Sequence, residues 1–262
     1  MMSKMSIVRT VQGEAGPLDV RFRPASSAKR GDILFIHGPW TGTWIWEPYF
    51  LPWFAQAGFD CAALSLRGHG NSAGNCRWAT IGSYVADVRA VAATLDNPFI
   101  VGHSLGGYVA QSYVRKYGAP GVALVGAVPP IGAWPTVWRI MKERPLCAVK
   151  CAATLSLLPV VEKPDFTRKL FFSRNPDRKD KDRYLSLYSA ESVLALIDML
   201  LRPARVKIPE HIPLAVFGAA RDEIIPQGDI RRTARYYGAD AQIIPHASHL
   251  VMLDRVRRRV CW

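Results

Sequence analysis

Residues 100–107 read Ile100-Val101-Gly102-His103-Ser104-Leu105-Gly106-Gly107, and how the chain must bend to pass through them decides the fold. The apolar stretch 98–101 has the composition of a buried strand, and residues 105–117 carry the spacing of a helix packed by one face. Ser104 then sits on the sharp turn between strand and helix, with its hydroxyl standing clear of the sheet. A turn this tight drives neighbouring backbones together, so Gly102 and Gly106 fall where any side chain would collide. Gly-x-Ser-x-Gly occurs by chance in many proteins. The strand before it and the helix after it are the context that makes the pattern a nucleophile elbow.

A serine hydroxyl is a weak nucleophile at neutral pH, so Ser104 needs a histidine base and a carboxylate to orient that base. Both types occur downstream. The apolar run 213–218 leads into Gly218-Ala-Ala-Arg-Asp222-Glu-Ile-Ile-Pro226, which places Asp222 in the loop just past a strand. The run 241–245 leads into His246-Ala-Ser-His249. Glu223 and His246 are the near alternatives. The order Ser104, Asp222, His249 differs from that of the chymotrypsin and subtilisin types.

At this point the chain resembles the α/β-hydrolase family over nearly its whole length. The resemblance rests on His37-Gly38 after the run 33–36, on Leu66-Arg-Gly-His-Gly-Asn-Ser72 after the run 61–64, on Gly102-His-Ser-Leu-Gly106, and on the Asp222 and His249 loops. It implies a mostly parallel eight-stranded sheet flanked by helices with a helical cap insertion. It further implies Ser104 as nucleophile, His249 as general base and then acid, and Asp222 as the group that fixes the imidazole tautomer. The family's Asp-x-x-x-Pro spacing, ending here at Pro226, selects Asp222, and the His-x-x-x-Leu-Asp run ending at Asp254 selects His249.

Acyl transfer also needs donors for the tetrahedral oxyanion. By position Leu105 N–H is one. In the family the second comes from the residue directly after His-Gly, which in this chain is Pro39, and proline has no N–H. Three alternatives follow: Trp40 donates through a shifted loop, the Thr41 side chain donates, or the hole is incomplete and turnover of ordinary esters is slow. The expected activity is therefore cleavage of carboxylic esters of hydrophobic acyl groups through an acyl-enzyme, with a catalytically weak ligand-binding relative or an acyltransferase as alternatives.

At 262 residues and 49% hydrophobic composition the chain suits one large α/β domain. No apolar stretch approaches the roughly 20 residues of a membrane-spanning helix, and residues 1–11 lack the apolar segment and cleavage site of a signal peptide, so the sequence points to the cytoplasm. Five cysteines without clustered spacing are not a disulfide framework. Cys147 and Cys151, one helical turn apart, read as small apolar residues of the cap. The net charge of +13 invites a nucleic-acid reading. No nucleic-acid motif accompanies it, and twelve Lys and Arg against six Asp and Glu lie between Arg139 and Arg183, with Arg255, Arg257, Arg258 and Arg259 near the end. The expected partner is a small-molecule ester, with peripheral contact to anionic lipid admitted by the charge and no nucleic acid expected. No metal-ligand cluster, phosphate loop or dinucleotide fingerprint is visible, so neither metal nor cofactor is expected.

The chain divides into core residues 1–128, a helical cap 129–212 that begins at Pro129-Pro130, and core residues 213–262 closing on a short C-terminal helix. Within the cap, the stretches 137–141, 146–158 and 191–201 have helical spacing, with Pro145, Pro159, Pro164 and Pro203 as breaks. Trp40, His103, Trp134 and Trp138 are the expected pocket residues, whereas Trp44 and Trp46 are expected to anchor the next helix. His37, His69 and His103 also fit a bracing role around the elbow.

Overall fold

The structure is a computed structural model that describes residues 6–172, 178–201 and 207–254. Two antiparallel strands open the chain, β1 (Ile7–Gly13) and β2 (Gly16–Arg23), closed by a tight turn at the Gly13↔Gly16 pair. There follow β3 (Gly31–Ile36), α1 (Phe50–Gln56), β4 (Phe59–Leu64), α2 (Ile81–Ala92), β5 (Phe99–His103), α3 (Leu105–Tyr117) and β6 (Val122–Val125). After an insertion come β7 (Leu214–Ala219), α9 (Gln227–Tyr237) and β8 (Ala241–Ile244). The eight strands form one sheet in the order β1-β2-β4-β3-β5-β6-β7-β8, and every pairing from β4 to β8 is parallel.

The inner strands read as unbroken apolar runs because helices cover both faces of the sheet. On β3 the two-residue period sorts Leu34 and Ile36 into the layer under α2 and α3, and Ile33 and Phe35 into the layer that holds Trp46 and Leu51. Phe35 and Trp46 pack with ring centroids 5.1 Å apart, so Trp46 is the core anchor expected of it. Trp44 instead stacks on Tyr184 of the insertion. α2 starts at a capping box, with Thr80 Oγ1 accepting from Ser83 N–H at 3.1 Å and Ser83 Oγ from Thr80 N–H at 3.2 Å.

The insertion between β6 and β7 contains α4 (Trp134–Glu143), α5 (Pro145–Thr154), α6 (Pro164–Phe171), α7 (Arg178–Leu185) and α8 (Val193–Leu201), with no strand among the described residues. Pro135, Pro145 and Pro164 each stand in the first turn of a helix, where the missing N–H has no intrahelical partner to lose. Pro164 therefore starts α6 instead of breaking the chain. The helix expected over 146–158 stops at Thr154, because Leu155 takes a left-handed backbone (φ 46°) that ends the ladder. The C-terminal helix and the arginine cluster at 255–259 lie outside the described residues, as does part of the charged run 174–183.

Candidate active site

The site forms where β5, β7 and β8 end at the same edge of the sheet, with loops from each meeting above it. Ser104 occupies the elbow between β5 and α3 at φ 53° and ψ −118°, a conformation that costs a non-glycine residue free energy. Ser104 N–H donates to Val125 C=O at 3.1 Å, and Ser104 C=O accepts from Val128 N–H at 3.0 Å. A methyl at Gly106 would strike the carbonyl oxygens of Ile36 and His37, and one at Gly102 would lie 2.7 Å from Gly107 Cα. The glycines are what let α3 start against β3 and keep the strained turn closed.

Asp222 follows β7. One carboxylate oxygen accepts from the N–H groups of Ile224 and Ile225, both at 2.8 Å, which fixes the group and supports its negative charge. The other accepts from His249 Nδ1 at 2.8 Å, so His249 carries its proton on Nδ1 and keeps Nε2 as the free lone pair. All three side chains are buried: Ser104 2%, Asp222 6% and His249 2% exposed. Glu223 points outward to Lys169, with its carboxylate half exposed, and His246 reaches the Arg221 guanidinium on the surface.

Ser104 and His249 open into one cavity of about 250 Å³ whose exposed wall is almost wholly apolar. Val137 and Ile140 of α4, Cys151 of α5 and Met199 of α8 supply the side facing Ser104, and Trp40 and Leu105 the side nearest the elbow. Trp40 thus lines the cavity, edge-on to Phe171. His103, Trp134 and Trp138 do not, which corrects the expectation for all three. His103 lies beneath the floor, donating from Nε2 to His249 C=O at 2.9 Å; burial and then the neighbouring His249 hold it well below the usual imidazole range, so it stays neutral. Trp134 and Trp138 lie one helical turn apart on the outer face of α4, 53% and 63% exposed, because the inward face is taken by Thr136, Val137 and Ile140. Cys147 is buried beside Cys151, whose thiol burial pushes up to about 11.

The loop before the elbow is sharply turned. Trp40 adopts a left-handed φ of 59° and its carbonyl accepts from Ser189 N–H at 2.9 Å. Thr41 turns its hydroxyl to Gly38 C=O at 2.9 Å. Among the described residues neither Trp40 N–H nor Leu105 N–H donates to a protein acceptor.

A buried polar network behind the cavity has its partner in the insertion, where the sequence carries no motif to mark it. Glu191 and Ser192 line the cavity wall. Glu191 accepts from Tyr84 O–H at 2.8 Å and lies 3.3 Å from His69 Nε2, while His69 Nδ1 donates to Arg67 C=O at 3.2 Å. Beside that carboxylate a protonated His69 forms an ion pair, although Nε2 and Glu191 Oε2 are not aligned as a hydrogen bond. Burial opposes that charge, but the Glu191 carboxylate outweighs it and raises His69 above its ordinary value. His37 is the opposite case. Burial, reinforced by His69, lowers it to about 3, and the neutral ring donates from Nδ1 to Gly38 C=O while Nε2 accepts from Leu66 N–H.

The alpha/beta hydrolase family model matches residues 33–260. A non-heme haloperoxidase of Rhodococcus erythropolis is 38% identical over 104 residues, a match that spans 38% of this chain and 38% of that protein. Among solved structures, a thermophilic esterase from Thermogutta terrifontis superposes with a TM-score of 0.69 at 18% identity, covering 96% of this chain and 94% of that one. A bromoperoxidase from Bacillus anthracis gives 0.68 at 17% identity over 94% of each chain. At these identities the structural likeness is one of fold.

Proposed function

This chain belongs to the alpha/beta hydrolase family, and from that premise we propose that it is a serine hydrolase cleaving carboxylic esters of hydrophobic acyl groups through an acyl-enzyme. One observation carries the reading. A serine held in a strained elbow shares an apolar cavity with a histidine whose far nitrogen is committed to a buried carboxylate.

In this reading His249 Nε2 takes the Ser104 hydroxyl proton as Oγ bonds to the ester carbonyl carbon, and the carbonyl π pair moves onto oxygen. Leu105 N–H and Trp40 N–H receive that oxyanion, Trp40 standing in for Pro39, which has no N–H. Collapse expels the alcohol, which takes its proton from His249. Water then repeats the sequence on the acyl-enzyme and releases the acid. Asp222 holds the Nδ1–H tautomer and stabilises the imidazolium, and His103 positions His249 through its main chain. The apolar wall favours an acyl group without polar substituents.

The test is labelling by a fluorophosphonate probe together with turnover of p-nitrophenyl esters of graded chain length. Ser104→Ala is expected to abolish labelling and lower kcat by roughly 10⁴-fold or more with the fold intact. Wild-type-like turnover in that variant would remove Ser104 from the reaction, and a wild type that neither labels nor turns over would favour a ligand-binding relative.

A further inference from the structure

We propose that the outward face of the α4–α5 hairpin is a docking surface for an anionic lipid bilayer. α4 has a polar side, with Arg139 and Glu143, and a broad apolar side shared between cavity and solvent, and α5 likewise gives apolar side chains to both. Their inner faces give Val137, Ile140, Ala148 and Cys151 to the cavity. Their outer faces leave Trp134 53%, Trp138 63%, Leu146 79% and Val149 64% exposed, and the chain that follows adds Leu155 at 60%. No residue of α4 is fully buried, and Cys147 alone is so in α5. Water is a poor solvent for this many large apolar side chains on two successive helices, and such exposure marks a contact surface. Trp134 also donates from its indole N–H to Leu200 C=O at 3.0 Å, which brings the end of α8, with Leu201 72% exposed, to the same patch.

The chemistry of the rim selects the partner. Residues 129–172 hold seven Lys and Arg against three Asp and Glu, and the whole chain carries +13. Lys142 and Lys150 are exposed beside the patch, Lys150 with the equally exposed Glu162 carboxylate 3.7 Å away, while Arg139 is tied to Asp229 and Arg144 lies over the Phe166 ring. A second copy of this chain would bring a like charge of the same size to the interface. An anionic membrane brings the opposite sign, and its interfacial region is where tryptophan is favoured. Met141 belongs to both surfaces, lining the cavity while 44% exposed. Docking stands without the catalytic reading; only passage of an amphiphilic ester from the bilayer to Ser104 rests on it.

Co-sedimentation of the full chain with phosphatidylcholine vesicles, with and without phosphatidylglycerol, tests the proposal. Binding is expected with phosphatidylglycerol only, accompanied by a blue shift of tryptophan emission and weakened by salt. The double change Trp134→Glu and Trp138→Glu should lower the partition coefficient at least roughly tenfold, and Lys142→Glu with Lys150→Glu by a similar factor. Circular dichroism checks each fold, and the lysine pair keeps the test alive if the tryptophan pair misfolds. Ser104→Ala should bind as the wild type does, which separates failure of docking from failure of the esterase reading. Absence of vesicle binding, equal binding to both vesicle types, or binding indifferent to both double substitutions overturns the proposal, as does a dimer that these substitutions dissociate with no vesicle binding.

Discussion

Pro39 removes one amide hydrogen from the loop that faces Ser104, and in the proposed oxyanion hole its neighbour replaces it. Trp40 takes a left-handed backbone, held by Ser189 N–H on its carbonyl and by its ring against Phe171. Pro39→Ala is therefore expected to leave kcat unchanged or lower it by a few-fold, because the added N–H comes with a loosened turn. A gain approaching 100-fold at constant KM would mean that the hole lacks a donor in the wild type, since that is the scale of one such group. At this scale the sequence was legible where chemistry needs a residue type at a set place in a strand-turn-helix, as at Ser104. It was not legible where a role depends on which way a side chain faces. His103 ends β5 directly before Ser104 yet points beneath the floor, and the tryptophans of α4 lie outside the cavity on the solvent side of its apolar face.

The β5-turn-α3 element depends on close approach more than on propensity. Gly106→Ala would drive a methyl into two carbonyl oxygens of the β3 end, and a loss of at least about 3 kcal/mol with collapse of the elbow is expected in denaturant unfolding. The same exchange at Gly228, in the first turn of α9 with nothing within 4 Å of the added carbon, should stabilise by about 0.5 kcal/mol. A mild effect at Gly106 would show that the elbow tolerates movement away from β3. Strands buried on both sides announce themselves as apolar runs and α3 by its helical spacing, which is why these elements can be found from sequence. α6 and α7 are eight residues each and begin beside proline or charge, so even the two-faced pattern of α6 is too short to stand out from chance in the sequence.

Across the whole molecule the insertion is fastened to the core by groups far apart in sequence. Tyr84 O–H and the His69 ring meet Glu191, Ser192 Oγ donates to Ala79 C=O at 2.6 Å, and Asp198 accepts from Ile81 N–H at the start of α2. Sequence gives no means of pairing His69 with Glu191, because each is an ordinary polar residue until the fold buries both. Their pairing should make stability depend on pH. Burial opposes both charges, yet each partner favours the other's: His69 is raised above 6.5 and Glu191 lowered below 4.5. The pair's contribution is complete between those two ordinary values. It is lost as pH rises through the folded-state value of His69 and as pH falls through that of Glu191. Glu191→Gln is accordingly expected to destabilise by roughly 3 kcal/mol near pH 5.5, with a gap that narrows above pH 6.5 in thermal melts. A gap that stays constant or widens with rising pH would show that the pair is not ionised. Distance along the chain has another effect through the contact between His103 and the His249 carbonyl, which joins positions 146 residues apart. On the ribosome, Ser104 is made long before its proposed base, and β8, which delivers His249, adds at the free edge of the sheet through β7 alone. In that reading reactivity arrives only once the chain has grown past β8, and an arrested chain lacking β8 carries a serine without the means to fire it.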